Sequence, residues 1–293
     1  MSASNKVVSI SDRRLMSHAG HDAGHDVDRV RRALSGRFDN LVPHGIAGDF
    51  ESYLAGDARG ETVHLRVLSA HAANDAREML LEEIRAAARL THPNIVATSE
   101  PAEILGVQFC VVEHKRDAQT LHEMLANEGW LDVAGASYIA DQIAGALDHS
   151  HQIGVLHLRL DPESVLVEPD GWVTVSGFGA ETETAHRAEN YKAQYASPEL
   201  VAGAAVDQRG DLYSLGAMLY EMLTDRTPYD SEDADHIKHK QMSYAPSPPH
   251  LISLDVPESV SGVVMKLLEL EPDNRFRSAA QFQAALDAAI NRL

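Results

Sequence analysis

The chain has 293 residues, 44% of them hydrophobic, and its 25 Lys and Arg against 44 Asp and Glu give a net charge of −19. That length suffices for one large core or two lobes. A surface so acidic repels nucleic acid and anionic membrane, so binding to either is not expected. The one cysteine, Cys110, lies in the apolar run Phe109 to Val112; it excludes an internal disulfide and reads as core packing in a reducing compartment. No apolar run approaches the roughly 18 residues of a membrane helix. Met1 to Arg14 lacks the hydrophobic stretch of a secretory signal, so a cytoplasmic protein with no membrane insertion is expected.

Residues 1–35 read as an N-terminal extension, partly disordered. In it, His18, His21 and His25 fall in a His-Ala-Gly-His-Asp-Ala-Gly-His-Asp repeat. Imidazole and carboxylate suit a divalent transition metal, but the glycines leave such ligands unorganised, and the reading taken is a polar tail without metal. Val27, Val30 and Leu34 recur at helical spacing, which predicts a short amphipathic helix that closes against the body or docks a partner. Leu80, Ile84 and Ala88 give the stretch Asp75 to Leu90 one buried helical face. Ile139, Ile143 and Leu147 mark another helix, ending near Gly154. Val165 to Val167 and Trp172 to Val175 are β-rich runs flanking Asp170-Gly171, whose tolerance of positive φ predicts a tight hairpin. Leu212, Leu215, Met218, Leu219 and Met222 share one helical face. Asp230 to Met242 reads as a polar helix, with His236 and His239 as solvated residues one turn apart, followed by a Pro-rich loop to Pro249. Ser278 to Gln281 forms a capping-box pattern ahead of Phe282, Leu286 and Ile290.

The stretch His157-Leu158-Arg159-Leu160-Asp161-Pro162-Glu163-Ser164, the hairpin after it, and Gly177-Phe178-Gly179 resemble the H-R-D-L-K-P-E-N and D-F-G core of eukaryotic-type Ser/Thr protein kinases, which bacteria also carry. Gly36-Arg37-Phe38, Thr91 to Val96, Ser197-Pro198-Glu199, Asp211 to Gly216 and Arg275 match further motifs in order. The resemblance implies an α+β, bilobal kinase-like fold. Its small, mainly β N-lobe with helix C would span 36–116, and a larger, mainly α C-lobe would span 117–293. It also implies a Glu199–Arg275 pair, an Arg66–Glu83 pair, and an Asp211 that holds the catalytic loop.

The chemical positions depart from the pattern. Gly45 opens the glycine-rich loop, but Ala47 and Phe50 stand at its second and third glycines, Asp49 adds negative charge and Ser52 replaces a valine. Arg66 replaces the phosphate-binding lysine, and His64 a small alanine beside the adenine. Glu113 closes the strand that leads to the hinge, with Val112 at the gatekeeper position. Arg159 stands for the catalytic base, Asp161 for a second lysine, and Ser164 and Gly177 for the metal ligands. Lys192 takes the place of a threonine, and Leu158 that of the arginine that reads a phosphorylated segment, so Thr182 and Thr184 would not act as the usual switch. These residues would line a vestigial nucleotide cleft with no catalytic, cofactor or metal site. The expectation is a pseudokinase, not an enzyme, acting as a regulatory or scaffold module. Its partner would be a protein, such as an active kinase or signalling complex, or a second copy in a homodimer. The alternatives are a metal-free nucleotide sensor and a nucleotide-dependent transferase with rewired residues that use Asp161 or Glu163.

Overall fold

The computed structural model describes residues 23–47, 49–179, 192–229, 231 and 233–291. His18, His21, Gly48, Thr182 and Thr184, and the side chain of His25, lie outside what is described. The chain divides into two units, residues 1–88 with 97–114 and residues 89–96 with 115–293.

The first unit is an antiparallel sheet with a helix on each face. Strands β1 (Asp39–Ala47), β2 (Phe50–Gly56), β3 (Thr62–Leu68), β4 (Ala102–Ile104) and β5 (Val107–Glu113) run in the order β1-β2-β3-β5-β4. Period-two alternation sends Leu65 and Val67 to one face and His64 and Arg66 to the other. Helix α1 (Ala23–Leu34) packs on the Leu65 face, where Val30, Leu34 and Phe38 join Tyr53, Val107 and Phe109 in one core cluster. The Phe38 and Phe109 rings meet edge to face at 5.8 Å. Helix α2 (Asn74–Ala88) buries Leu80, Glu83 and Ile84. Cys110 is fully buried, and desolvation raises its thiol pKa, as for a core residue.

The second unit holds a small sheet, β6 (Gln119–Thr120), β7 (Val165–Val167) and β8 (Val173–Val175), and a helical body. Helices α3 (Leu121–Glu128) and α4 (Val133–Gln152) are followed by the one-turn α5 (Pro198–Val201). Then come α6 (Gln208–Thr224), α7 (Ala234–Ser243), α8 (Glu258–Leu267) and α9 (Ala279–Ile290). Helix α6 is buried on nearly every side, so its apolar residues go all round it instead of forming the single face that the sequence suggests. Gly216 is needed there: a Cβ would stand 2.6 Å from Leu267 Cβ.

Two local expectations are corrected. The β7–β8 connection is longer than a two-residue turn: Glu168 and Trp172 close it (Glu168 N to Trp172 O, 2.8 Å) and Gly171 takes φ 85°. Trp172 therefore lies outside the strand, its indole N–H donating to the Pro93 carbonyl at 3.3 Å. The box at Ser278 is half formed. Its hydroxyl accepts from Gln281 N at 3.2 Å, but the Gln281 side chain accepts from Arg277 N instead of reaching back to Ser278. The complete capping box is at α3, between Thr120 and Glu123.

Candidate functional site

In the first unit the predicted site residues gather around Arg66. Antiparallel pairing sets Ser52 opposite Arg66 and Phe50 opposite Leu68, so Phe50 reaches Arg66 on the diagonal. The Arg66 guanidinium carbon lies 4.0 Å from the Phe50 ring centroid. On another side Arg66 Nη2 is 3.8 Å from Glu83 Oε1, a loose pair whose carboxylate is buried. The Phe50–Arg66 contact is a pairing that sequence reasoning missed. Its signal was there: a large ring at a glycine position, two residues off register from a planar cation that stacks on aromatic faces.

His64 lies on the same face as Arg66 and pairs with Leu54 and Val112 across the sheet. Its ring meets the His44 ring edge to face at 5.5 Å, and its buried Nε2 has no hydrogen-bond partner. Burial, then the charges of His44, Arg66 and His114, lower its pKa to about 4, so it is neutral at pH 7. Gly45 pairs with Ser52, and Ala47 with Phe50, in the β1–β2 hairpin. The Asp49 carbonyl accepts from Ser69 N at 2.8 Å. Glu113 is exposed at the end of β5, where its carboxylate accepts from Ala97 N at 3.4 Å.

In the second unit one buried carboxylate fixes the central loop. Asp211, at the start of α6, accepts from His157 N at 2.9 Å and Leu158 N at 2.7 Å, and its Oδ2 lies 2.8 Å from His151 Nε2. Burial pushes its carboxyl up, but the His151 bond, the nearby imidazoles and the His157 amide outweigh this and hold its pKa below the usual carboxylate value. His151 as a third partner was not foreseen. The loop passes through Leu158 at φ 63°, and the His157 ring stacks edge to face on Phe178 at 4.7 Å. Its Nε2 is 2.8 Å from the Ser176 carbonyl, which ties the loop to the turn at Gly177.

The loop's functional side chains sit on this frame. Asp161 Oδ1 accepts from Glu163 N at 2.8 Å and Ser164 N at 3.0 Å. Lys192 Nζ stands 2.8 Å from Glu163 Oε1 and 3.7 Å from Asp161 Oδ2. The lysine position of the resemblance thus carries an acid and the threonine position a cation, and that cation lies between Glu163 and, more loosely, Asp161. Arg159 is half-buried, and its N–H donates to His157 Nδ1 at 3.3 Å. Leu158 buries against Ala196 and Leu200, an apolar joint in place of a phosphate-reading arginine. Arg275 is fully buried and forks onto Glu199 at 2.7 and 2.8 Å.

The metal positions do not fit a divalent ion. Ser164 Oγ donates to the Asp161 carbonyl at 2.7 Å, and Gly177, at φ 86°, has no side chain. Hard cations take oxygen ligands, carboxylates foremost, and neither residue offers one. Among the described residues no three His, Cys, Asp or Glu side chains converge as metal ligands, and no helix is long and apolar enough to cross a membrane.

Residues 51–286 match the protein kinase domain. The probable serine/threonine-protein kinase PknB of Bifidobacterium longum is 30% identical over 269 residues, which is 84% of this chain and 39% of that protein. PknB of Mycobacterium tuberculosis is 32% identical over 267 residues, 86% of this chain and 43% of the relative. PrkC of Bacillus subtilis is 28% identical over 271 residues, 89% and 42%. The chain thus spans about two fifths of the length of these curated relatives.

These relatives correct the expectation that the chain is not an enzyme. Proteins about 30% identical over most of its length are named serine/threonine-protein kinases, which points to an enzyme. The expectation of no activity rested on the joint loss of the base, the phosphate-binding lysines and both metal ligands. Phosphoryl transfer rests almost wholly on positioning and electrostatics, and Asp211 still fixes the loop backbone, with the Asp161 carboxylate on it and Lys192 nearby. The matched domain, the two-lobe α+β build and these relatives agree: the chain belongs to the protein kinase family.

Proposed function

We propose that the chain is a nucleotide-dependent phosphotransferase that modifies protein hydroxyls in signalling, the activity its relatives' names give them, using a rewired loop. One observation carries this reading: Asp161, held by Lys192 and by two backbone amides, on a loop that Asp211 still fixes. Asp161 lies two residues beyond the base position, which Arg159 fills. Its carboxylate takes the proton of the attacking hydroxyl. The hydroxyl oxygen bonds to phosphorus as the bond to the nucleotide's diphosphate breaks. Lys192 and Arg159 offset the negative charge that builds up during transfer. No step uses a metal, because Ser164 and Gly177 do not fit one.

Losing a single charge-stabilising group costs about 10²–10⁴-fold. Turnover is therefore expected well below the roughly 1–100 s⁻¹ typical of kinases. The test is the melting temperature with millimolar ATP or ADP, with and without Mg²⁺ or Mn²⁺. A ligand at about 100 times its Kd stabilises the native state by roughly 2.7 kcal/mol. A metal-independent rise supports the reading, and no rise under any condition overturns it. A rise that requires metal would overturn the assignment of Ser164 and Gly177 as non-ligands.

A second reading, signalling through a bound protein such as an active kinase or signalling complex, is favoured by exposed apolar residues in one stretch. Met242 is 55% exposed, Tyr244 65%, Leu251 69% and Leu254 96%. On this reading Tyr244→Asp and Leu254→Asp abolish capture of the partner while leaving the melting temperature within about a degree.

A further inference from the structure

Phe50 is 4% exposed, although it closes the hairpin at the place where the resemblance has a glycine with no side chain. Its ring covers one face of the Arg66 guanidinium at 4.0 Å, while Glu83 takes an edge at 3.8 Å. What remains of Arg66 is 26% exposed. Arg66 is the cation that the resemblance assigns to nucleotide phosphate, and a glycine at position 50 is what would let backbone and phosphate approach each other there. In this chain the space holds an aromatic ring, and the attraction between ring and cation keeps it there. The substitutions complement each other: lysine has no planar face to lay on a ring, and glycine has no ring to offer.

We infer that Phe50 is a built-in occupant of the phosphate position, masking Arg66 until it swings away, and that it sets the chain's affinity for nucleotide. This rests on the nucleotide-dependent reading and names the device that regulates it. With the ring removed, the guanidinium pairs with polyphosphate directly. A ring–cation contact is worth enough to change affinity about two- to thirtyfold.

The test is calorimetric titration of the full chain, as wild type, Phe50→Gly, Phe50→Leu and Phe50→Tyr, with ATP and separately with inorganic tripolyphosphate. Phe50→Gly is expected to bind both about two- to thirtyfold more tightly than wild type. Phe50→Leu keeps the buried volume without a π face, guards against a misfolded glycine variant, and shifts the same way by less. Phe50→Tyr keeps the ring and matches wild type. If the glycine and leucine variants bind ATP no better than wild type does, the masking role is wrong while the nucleotide reading stands. If they gain tripolyphosphate but no variant binds ATP, masking stands and the nucleotide reading fails. If nothing binds either probe, both are overturned.

Discussion

Asp211→Ala is the sharpest probe of the frame on which the site is built. The carboxylate has no solvent exposure and serves three partners, His157 N at 2.9 Å, Leu158 N at 2.7 Å and His151 Nε2 at 2.8 Å. Alanine leaves two backbone N–H groups buried without acceptors, at about 1–3 kcal/mol each, and strands a buried imidazole. Losing one member of a buried charged network costs about 3–5 kcal/mol in all. A loss of about 4 kcal/mol lowers the melting temperature of a domain this large by roughly 8–16 °C. Asp211→Asn keeps one acceptor but turns an amide donor toward other donors, so it falls between wild type and alanine. The assay is scanning calorimetry with amide exchange at His157 and Leu158, whose protection should fall by orders of magnitude. Because the folded carboxyl is held below its ordinary value, its contribution is complete above pH ~4 and is lost as pH falls below that. An alanine variant that melts within a degree or two of wild type, with both amides still protected, would refute the claim that Asp211 holds the loop.

Three further outcomes follow from the same geometry. His64 titrates near pH 4 when folded against about 6.5 when unfolded, so stability is full above pH 6.5 and falls by about 3 kcal/mol as pH drops to 4; in urea melts across that range, His64→Leu should flatten the decline. Leu34, fully buried where α1 meets the sheet, should cost about 2–5 kcal/mol when cut to alanine, read as a lower urea midpoint. Glu199→Gln leaves the Arg275 guanidinium buried without its counter-charge and should cost about 3–5 kcal/mol in calorimetry.

The frame was more legible than the chemistry. The Asp211 anchor and the Glu199–Arg275 fork stand at motif positions, and each forms with good geometry because burial leaves those groups no water to use instead. Helices with one apolar face were readable from spacing, as at Leu80 and Ile84. The turn at Asp170-Gly171 was misjudged because the dipeptide signals a positive φ at Gly171 but not how many residues the loop spans. His44 beside His64 and His151 on Asp211 were invisible in sequence, whereas Phe50 on Arg66 left a signal that went unread. The two histidine contacts join residues far apart in sequence whose types alone predict nothing about one another. The expectation of no activity is overturned by the relatives named as kinases, not by the loop itself: the loss of several chemical groups is legible in sequence, but what the remaining charged residues do together is not.

The measurement that tests the account most directly is transfer of labelled γ-phosphate from ATP to a Ser/Thr protein substrate, by wild type and Asp161→Asn side by side. The account predicts slow transfer by wild type, a fall of at least about 10²-fold in the variant, and an unchanged melting temperature to show that the loop is intact. Transfer that is equal in both proteins, or absent from wild type, would contradict it.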